Sequence, residues 1–209
     1  GTAGLAARGA FRIPTKGDTI TAMWFIAELD RSLGQGALQI GTQERIFSCD
    51  VPSDRNLWVT LTQPILTESL IGKGPQGQHS TNLINSDTFF SSLPGLASLI
   101  MARREFNQGW GNTPISHEME RVMNRDNKAL LPYSTGIEFD NRYLMSISPN
   151  ATGLGVFHAG AIVINFDLVS SLRGKAPPAY DGLWTGINVL QYCKGKFSNL
   201  ERAFAFTLT

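Results

Sequence analysis

Glycine and proline interrupt this chain so often that few stretches are long enough for a helix. The sequence contains 21 glycines and 10 prolines, and the runs between them are short and rich in Ile, Val, Phe, Thr and Trp. Short β-branched and aromatic runs bounded by turn residues are typical of brief strands joined by tight turns. The chain is therefore predicted to be all-β and built from repeated antiparallel sheets.

The predicted strands fall into three sets along the chain. The first set is Ile20–Leu29, Ala37–Thr42, Glu44–Cys49 and Leu57–Thr62. The second is Glu68–Ile71, Ser80–Ile84, Thr88–Ser92 and Leu96–Met101. The third is Thr135–Phe139, Tyr143–Ser148, Gly155–Asn165, Trp184–Leu190 and Ala203–Thr207. We interpret residues 1–209 as a single β-rich domain with blade-like units at about 18–64, 65–103 and 133–209.

Each set contains a hairpin with a polar turn. The turns are Thr42-Gln43, Asn85-Ser86-Asp87 and Asp140-Asn141. Asn and Asp tolerate the positive φ that primed hairpin turns require. Gln43, Asp87 and Asn141 are spaced by 44 and 54 residues. This approaches the period of four-stranded propeller blades, about 40–50 residues, once an insertion in the second interval is removed.

The insertion, at about residues 113–125, is predicted to be one short amphipathic helix packed on a sheet. Thr113 can cap it and Pro114 suits its first position. One face carries Ile115, Met119, Val122 and Met123.

Three blade-like units are too few for a closed ring, because propellers typically have about 4–8 blades. We therefore expect an incomplete ring whose open edges are covered by missing sequence, a second polypeptide or copies of itself. Residues 1–9 contain no initiator Met and no signal-peptide pattern, so we expect a chain processed or excised from a longer one. A β-sandwich with a helical excursion is the alternative architecture.

Charge and motifs argue against several classes of function. Lys and Arg total 18 against 17 Asp and Glu, so no strong field attracts nucleic acid or an anionic membrane, and neither is an expected partner. Apolar runs such as Gly160–Phe166 are much shorter than the roughly 20 residues of a membrane helix. Cys49 and Cys193 have no metal-site spacing, and we favour buried free thiols over a disulfide.

No catalytic, cofactor-binding or metal-binding motif occurs, so we expect no enzyme and no cofactor. His79, His117 and His158 are dispersed. The sequence offers no way to select a glycosidase pair from the candidate carboxylates, which are Glu44, Asp50, Asp54, Glu68, Glu138 and Asp140.

Arginine and aromatic residues are the candidates for an interface, where both are favoured as anchors. Arg103 and Arg104 form the only adjacent arginine pair and lie near Trp110. Phe204 and Phe206 lie on the final predicted strand. The tryptophans, Trp24, Trp58, Trp110 and Trp184, suit either sugar stacking or core packing.

Several segments together resemble a family of structural proteins of tailed bacteriophages. They are, in order, Leu33–Gln39, Arg45–Ser48, Asn85–Phe90, Asn112–Glu118, Phe139–Met145 with Ser146–Pro149, and Tyr180–Ile187. The resemblance covers the chain from about residue 10 to the end. It implies a virion component of the tail or its attachment apparatus, in the tail or head-tail region, with a β-propeller-like fold. It implies other virion proteins or copies of the chain as partners, and no catalytic or ligand residue carries over from the family.

Two other functions are compatible with the sequence. One is a carbohydrate-binding module that recognises a host-surface glycan through exposed aromatics. The other is a propeller glycosidase, which needs two carboxylates within reach of each other.

Overall fold

Twelve strands in three antiparallel sheets make up most of the part of the chain that the computed structural model describes. That part comprises residues 13, 18–26, 36–49, 54, 56–57, 60, 66–108, 119–167 and 179–208. Strands far outnumber helices in it, so the prediction of an all-β protein built from antiparallel sheets is confirmed.

The first sheet contains four strands that pair in chain order: β1 (Ile20–Phe25), β2 (Leu38–Thr42), β3 (Arg45–Cys49) and β4 (Leu66–Ile71). The assignment of Glu68–Ile71 to the second set is wrong, because Cys49 pairs with Leu66 and Arg45 with Ile71. In the predicted strand Leu57–Thr62, the amide of Thr60 donates to the carbonyl of Leu57, which is a turn and not a ladder bond. The other residues of that predicted strand lie outside the described residues.

The second sheet has three strands: β5 (Asn82–Ile84), β6 (Asp87–Ser92) and β7 (Gly95–Ser98). A helix, α1 (Leu99–Gln108), follows β7 without a loop. The predicted strand Leu96–Met101 is therefore wrong after Ser98, and the expectation of a single helix is wrong as well.

Two side chains explain why the strand becomes a helix at this point. The Ser98 hydroxyl accepts a hydrogen bond from the Met101 amide at 3.2 Å, as an N-cap residue does. Asp87, on the neighbouring strand, accepts from the Ile100 amide at 3.1 Å. These two bonds satisfy amides at the first turn that have no partner within the helix.

The third sheet has five strands in the order β12-β11-β10-β9-β8. They are β8 (Gly136–Phe139), β9 (Arg142–Thr152), β10 (Gly155–Asn165), β11 (Ala179–Phe197) and β12 (Leu200–Thr207). The five predicted strands of the third set are confirmed. The first part of β11 pairs with β10, whereas the part beyond Val189 pairs with β12 and lies against β8. The sheet is therefore nearly closed into a barrel around Ile137, Ala161, Val189 and Tyr192.

The largest core cluster joins the second and third sheets. It contains Ile84, Phe89, Leu96, Met123, Tyr143, Met145, Ile147, Ile162 and Ile164. Met123 ends a one-turn helix, α2 (Glu120–Met123), and Met119 and Val122 pack on the same cluster. The predicted packing of the inserted helix on a sheet is confirmed for these three residues, while residues 113–118 lie outside the described part.

The hairpin turns show the expected backbone. Asn85 and Ser86 have φ of 48° and 66°, and Asp140 and Asn141 have φ of 52° and 53°. This left-handed conformation is the one a primed turn requires. A further turn of the same kind, Ser198-Asn199 with φ of 48° and 64°, joins β11 to β12 and was not predicted. None of the described helices has the length and apolarity needed to cross a bilayer.

Candidate functional site

The hairpin at the end of the described chain is the least covered part of the fold. We call residues 191–197 of β11 together with β12 the ribbon. Every residue of β12 is exposed. Among the described residues, β12 has ladder partners only on β11, so its other edge is open. Unpaired edge strands are templates for pairing with another chain.

One face of the ribbon, which we call the apolar face, carries four large apolar side chains together with Arg202 and Gln191. Paired residues of antiparallel strands share a face, and successive residues alternate between faces. Phe197 pairs with Leu200, and Cys193 pairs with Phe204. Phe197, Leu200, Phe204 and Phe206 are 54%, 59%, 42% and 59% exposed. Four large apolar side chains on one uncovered face form an apolar patch of the kind that marks interaction sites.

The aromatic rings on this face are already packed against each other. Phe197 and Phe204 form an edge-to-face pair with ring centroids 5.3 Å apart. The Phe197 ring lies over Gly195, where a Cβ atom would be 2.9 Å from it. The absent side chain at Gly195 leaves room for the Phe197 ring, and the pairing of the two rings is a favourable aromatic contact.

The opposite face of the ribbon is polar and anchors it to β8. The Lys194 Nζ binds a Glu138 carboxylate oxygen at 2.6 Å and a Glu201 oxygen at 3.1 Å. The hydrogen bond that Lys194 donates to Glu138 is the main reason that the pKa of Lys194 is raised. The Tyr192 amide also donates to the Thr135 hydroxyl at 3.2 Å. These contacts hold the ribbon in place by its polar face and leave the apolar face open.

A polar cleft of about 320 Å³ lies where the ribbon, β8 and the chain leading into β5 meet. Its lining includes Gln78, His79, Asn82, Glu138, Cys193 and Lys194. The His79 Nδ1 lies 3.4 Å from the Gln191 amide nitrogen and so links the cleft wall to the ribbon. Amides, hydroxyls and a compensated ion pair suit an uncharged polar molecule better than an ion.

The candidate carboxylates that the structure describes are either paired with basic side chains or exposed. Glu68 is paired with Arg45 at 2.5 Å, and Asp140 with Arg142 at 2.5 Å. Glu44 and Asp54 are exposed, and Asp50 lies outside the described residues.

Glu138 and Glu201 do approach each other, but through the shared ammonium of Lys194. Both carboxylates therefore belong to the ion-pair network that holds the ribbon against β8.

The candidate interface residues are dispersed. Phe204 and Phe206 lie on the apolar face of the ribbon. Arg103 lies on α1, and its guanidinium donates to the buried Gln39 side chain at 3.0 Å, which ties the helix to the first sheet. Arg104 also lies on α1, but its side chain is outside the described part, and so is Trp110. The structure does not bring Arg103 to the ribbon's apolar face. Phe197 and Leu200 were not identified from the sequence as interface candidates.

The described tryptophans differ in exposure. Trp24 is half-buried, and its indole nitrogen donates to the Thr88 hydroxyl at 3.0 Å. Trp184, on β11, is 46% exposed. Trp58, like Trp110, lies outside the described residues. One exposed ring is therefore available as a sugar-stacking surface.

Histidines and cysteines do not converge on a centre. His158 is buried, its Nδ1 lies 3.3 Å from the Val189 carbonyl oxygen, and burial lowers its pKa. His79 is exposed at the cleft, and His117 lies outside the described part. Neither Cys49 nor Cys193 forms a disulfide bond, and only Cys49 is buried. The described residues contain no group of three or more side chains able to hold a metal ion.

Comparison with known proteins leaves the function to be inferred from this geometry and from the sequence. No protein-family model and no curated protein matches the chain.

Proposed function

We propose that this chain is a non-enzymatic structural protein of a tailed-bacteriophage virion, acting in the tail or attachment apparatus through protein–protein contacts. The observation that carries the assembly role is the ribbon, which combines an open strand edge with an exposed apolar face. Natural monomers usually protect such edges with charges, prolines or covering elements. The bacteriophage assignment is supported by the ordered sequence segments between Leu33 and Ile187.

We further propose that the sheets are units of an incomplete propeller-like ring. Support comes from the first sheet, which is a four-stranded meander in chain order, as a propeller blade is. Strands β8 to β11 form a second such meander. Beyond Val189, β11 leaves β10 and pairs with β12, as it would if it began another unit.

The cleft supports the same arrangement. Residues leading into and within β5, residues of β8 and residues of the ribbon all line it. These are the first strands of successive proposed units, and the first strands of propeller blades surround a central channel. In this arrangement the ribbon is the last unit of the ring and has only two strands, which explains why its edge is open.

The first test is whether the chain belongs to a virion. Particles from the phage source would be purified by density gradient and examined by mass spectrometry. We expect peptides of this chain at a constant ratio to the other structural proteins, and electron microscopy should place it at the tail or head-tail region. Absence of the chain from intact purified particles would contradict the proposal.

The second test asks whether the ribbon is the assembly surface. Phe206→Glu places a charge on the apolar face without touching the core, and Leu154→Glu makes the same change at an 85% exposed position outside the ribbon, in the turn between β9 and β10. We expect the first variant to be incorporated into particles poorly and the second normally. Equal incorporation would show that assembly uses another surface.

A carbohydrate-binding module is the second candidate, favoured by the exposed Trp184 ring. A glycan array with the purified chain and with Trp184→Ala tests it. Binding that the substitution removes would support receptor recognition, and no signal above background would exclude it.

A further inference from the structure

We infer that β12 pairs edge to edge with the β12 of a second copy of this chain, so that two ribbons join into one four-stranded antiparallel sheet. This inference rests on the proposed function, because it names the partner that the ribbon takes during assembly. It concerns the open edge of β12 and the residues from Leu200 to Phe206.

The first argument is the number of strands. In the described part of the chain β12 has a ladder partner only on β11, whereas β11 is supported by β10 in its first part and by contacts with β8 in its last part. The first sheet has four strands, and joining two ribbons through their β12 edges also gives four. A second copy therefore completes the ribbon to the size of a sheet that the chain already builds by itself.

The second argument is that the sequence of β12 complements itself. A two-fold axis perpendicular to the sheet at Ala203 places each Ala203 opposite its copy. Arg202 then lies opposite Phe204 of the second copy, and Leu200 lies opposite Phe206 of the second copy. All of these pairs satisfy the requirement that opposite residues share a face of the sheet.

These pairs are favourable ones. An arginine beside an aromatic ring makes a cation–π contact, and a leucine opposite a phenylalanine is an apolar cross-strand pair. The two-fold symmetry makes each contact occur twice. The small side chain of Ala203 at the axis lets the two edges approach closely.

Neighbouring registers fit less well. An axis at Arg202 would place the two guanidinium groups opposite each other, and like charges directly opposite are destabilising. An axis at Phe204 would pair Leu200 with Leu208, which lies beyond the end of β12. It would lose the contact between Leu200 and Phe206. The register centred on Ala203 is therefore the one we propose.

The first measurement is the mass of the purified full chain by light scattering, with a concentration series to obtain the dimer dissociation constant. We expect a dimer. Phe204→Glu should weaken it by at least about tenfold, because the charge falls beside the apolar contacts of the second copy. Leu154→Glu is the matched control and should leave the constant unchanged. Circular dichroism checks that both variants fold.

The second measurement is a disulfide cross-link that tests whether the two β12 strands pair in the register centred on Ala203. In a Cys193→Ser background, Ala203→Cys puts two thiols on the axis, where opposite Cα atoms lie about 4.5–5.5 Å apart and a disulfide can form. We expect a covalent dimer on mild oxidation. The Cys193→Ser variant alone should remain uncross-linked, because Cys49 is buried.

The outcomes separate this inference from the proposed function. A monomer at all concentrations, a dimer unaffected by Phe204→Glu, or a dimer that Ala203→Cys does not cross-link would overturn the edge pairing. Presence of the chain in virions would still support the structural role in each of these cases. A cross-linked dimer that is absent from virions would instead leave the pairing standing and remove the structural role.

Discussion

Replacing Asp87 tests whether the junction between strand β7 and helix α1 is built as the structure indicates. The Asp87 carboxylate accepts hydrogen bonds from the Ser98 hydroxyl, from the Ile100 amide at 3.1 Å and from the Thr88 amide at 2.7 Å. Ser98 is buried. The helix that follows places Leu99 and Ala102 in the core cluster shared by the first and second sheets. Removing the Asp87 carboxylate should therefore lower the free energy of unfolding by more than a substitution in an exposed turn would.

The expected magnitude follows from the bonds that Asp87→Ala removes. An N-cap side chain contributes about 1 kcal/mol, and a buried hydroxyl left without its acceptor costs about 1–3 kcal/mol. Relief from burying a carboxylate offsets part of this loss. We expect Asp87→Ala to lower the free energy of unfolding by about 2–3 kcal/mol in urea titrations. Asp87→Asn keeps an acceptor oxygen and should cost about 1 kcal/mol.

A pH series adds a second check on the same residue. Burial raises the pKa of Asp87 above its usual value of 3.8, so the folded state binds the proton more tightly than the unfolded state. The stability of the natural chain relative to Asp87→Asn should therefore increase as pH falls from 7 towards 4. A loss below about 0.5 kcal/mol for Asp87→Ala, or a difference that does not change with pH, would refute this account of the junction.

Two further predictions concern the core. Met123→Ala removes a side chain that is 4% exposed in the largest core cluster and should lower the free energy of unfolding by about 2–4 kcal/mol. The control Met23→Ala, at a 52% exposed position, should lower it by less than about 0.5 kcal/mol. Equal urea midpoints for the two variants would show that α2 is not packed on the core. Burial lowers the pKa of His158 below 6.5, so its neutral form stabilises the fold fully above pH 6.5 and the chain should lose stability as pH falls below that value. The stability difference between the natural chain and His158→Gln should shrink between pH 7.5 and 5.5, and a constant difference would contradict the burial of the neutral ring.

Local chemistry allowed the turns and most strands to be predicted. Asn85 and Asp140 tolerate the left-handed backbone that their hairpins need, and the structure shows positive φ at both. Ser198-Asn199 is a polar pair of the same kind between two runs in which apolar and polar residues alternate. It could have located the hairpin that joins β11 to β12. It would have placed Phe197 and Leu200 opposite each other.

The errors concern features that depend on distant residues. The run Leu96–Met101 is as apolar as a buried strand. It becomes a helix after Ser98 partly because the Asp87 carboxylate, on another strand, accepts a hydrogen bond from the first turn. Strand β4 joins the first sheet because Leu66 pairs with Cys49 across a connection of 16 residues, which no local pattern reports. The cleft likewise combines three separate segments of the chain, so composition alone could not have located it.

The shared strand β11 also has a mechanical consequence. It runs for 19 residues, pairs with β10 in its first part and supports the ribbon in its last part. Its ladder hydrogen bonds lie perpendicular to the strand direction. A pulling force applied to the ribbon along that direction must therefore shear many bonds at once instead of opening them one by one. A partner attached to β12 would transmit tension through one continuous strand to β10, which contributes Ile162 and Ile164 to the largest core cluster, with no flexible linker between the contact and the core.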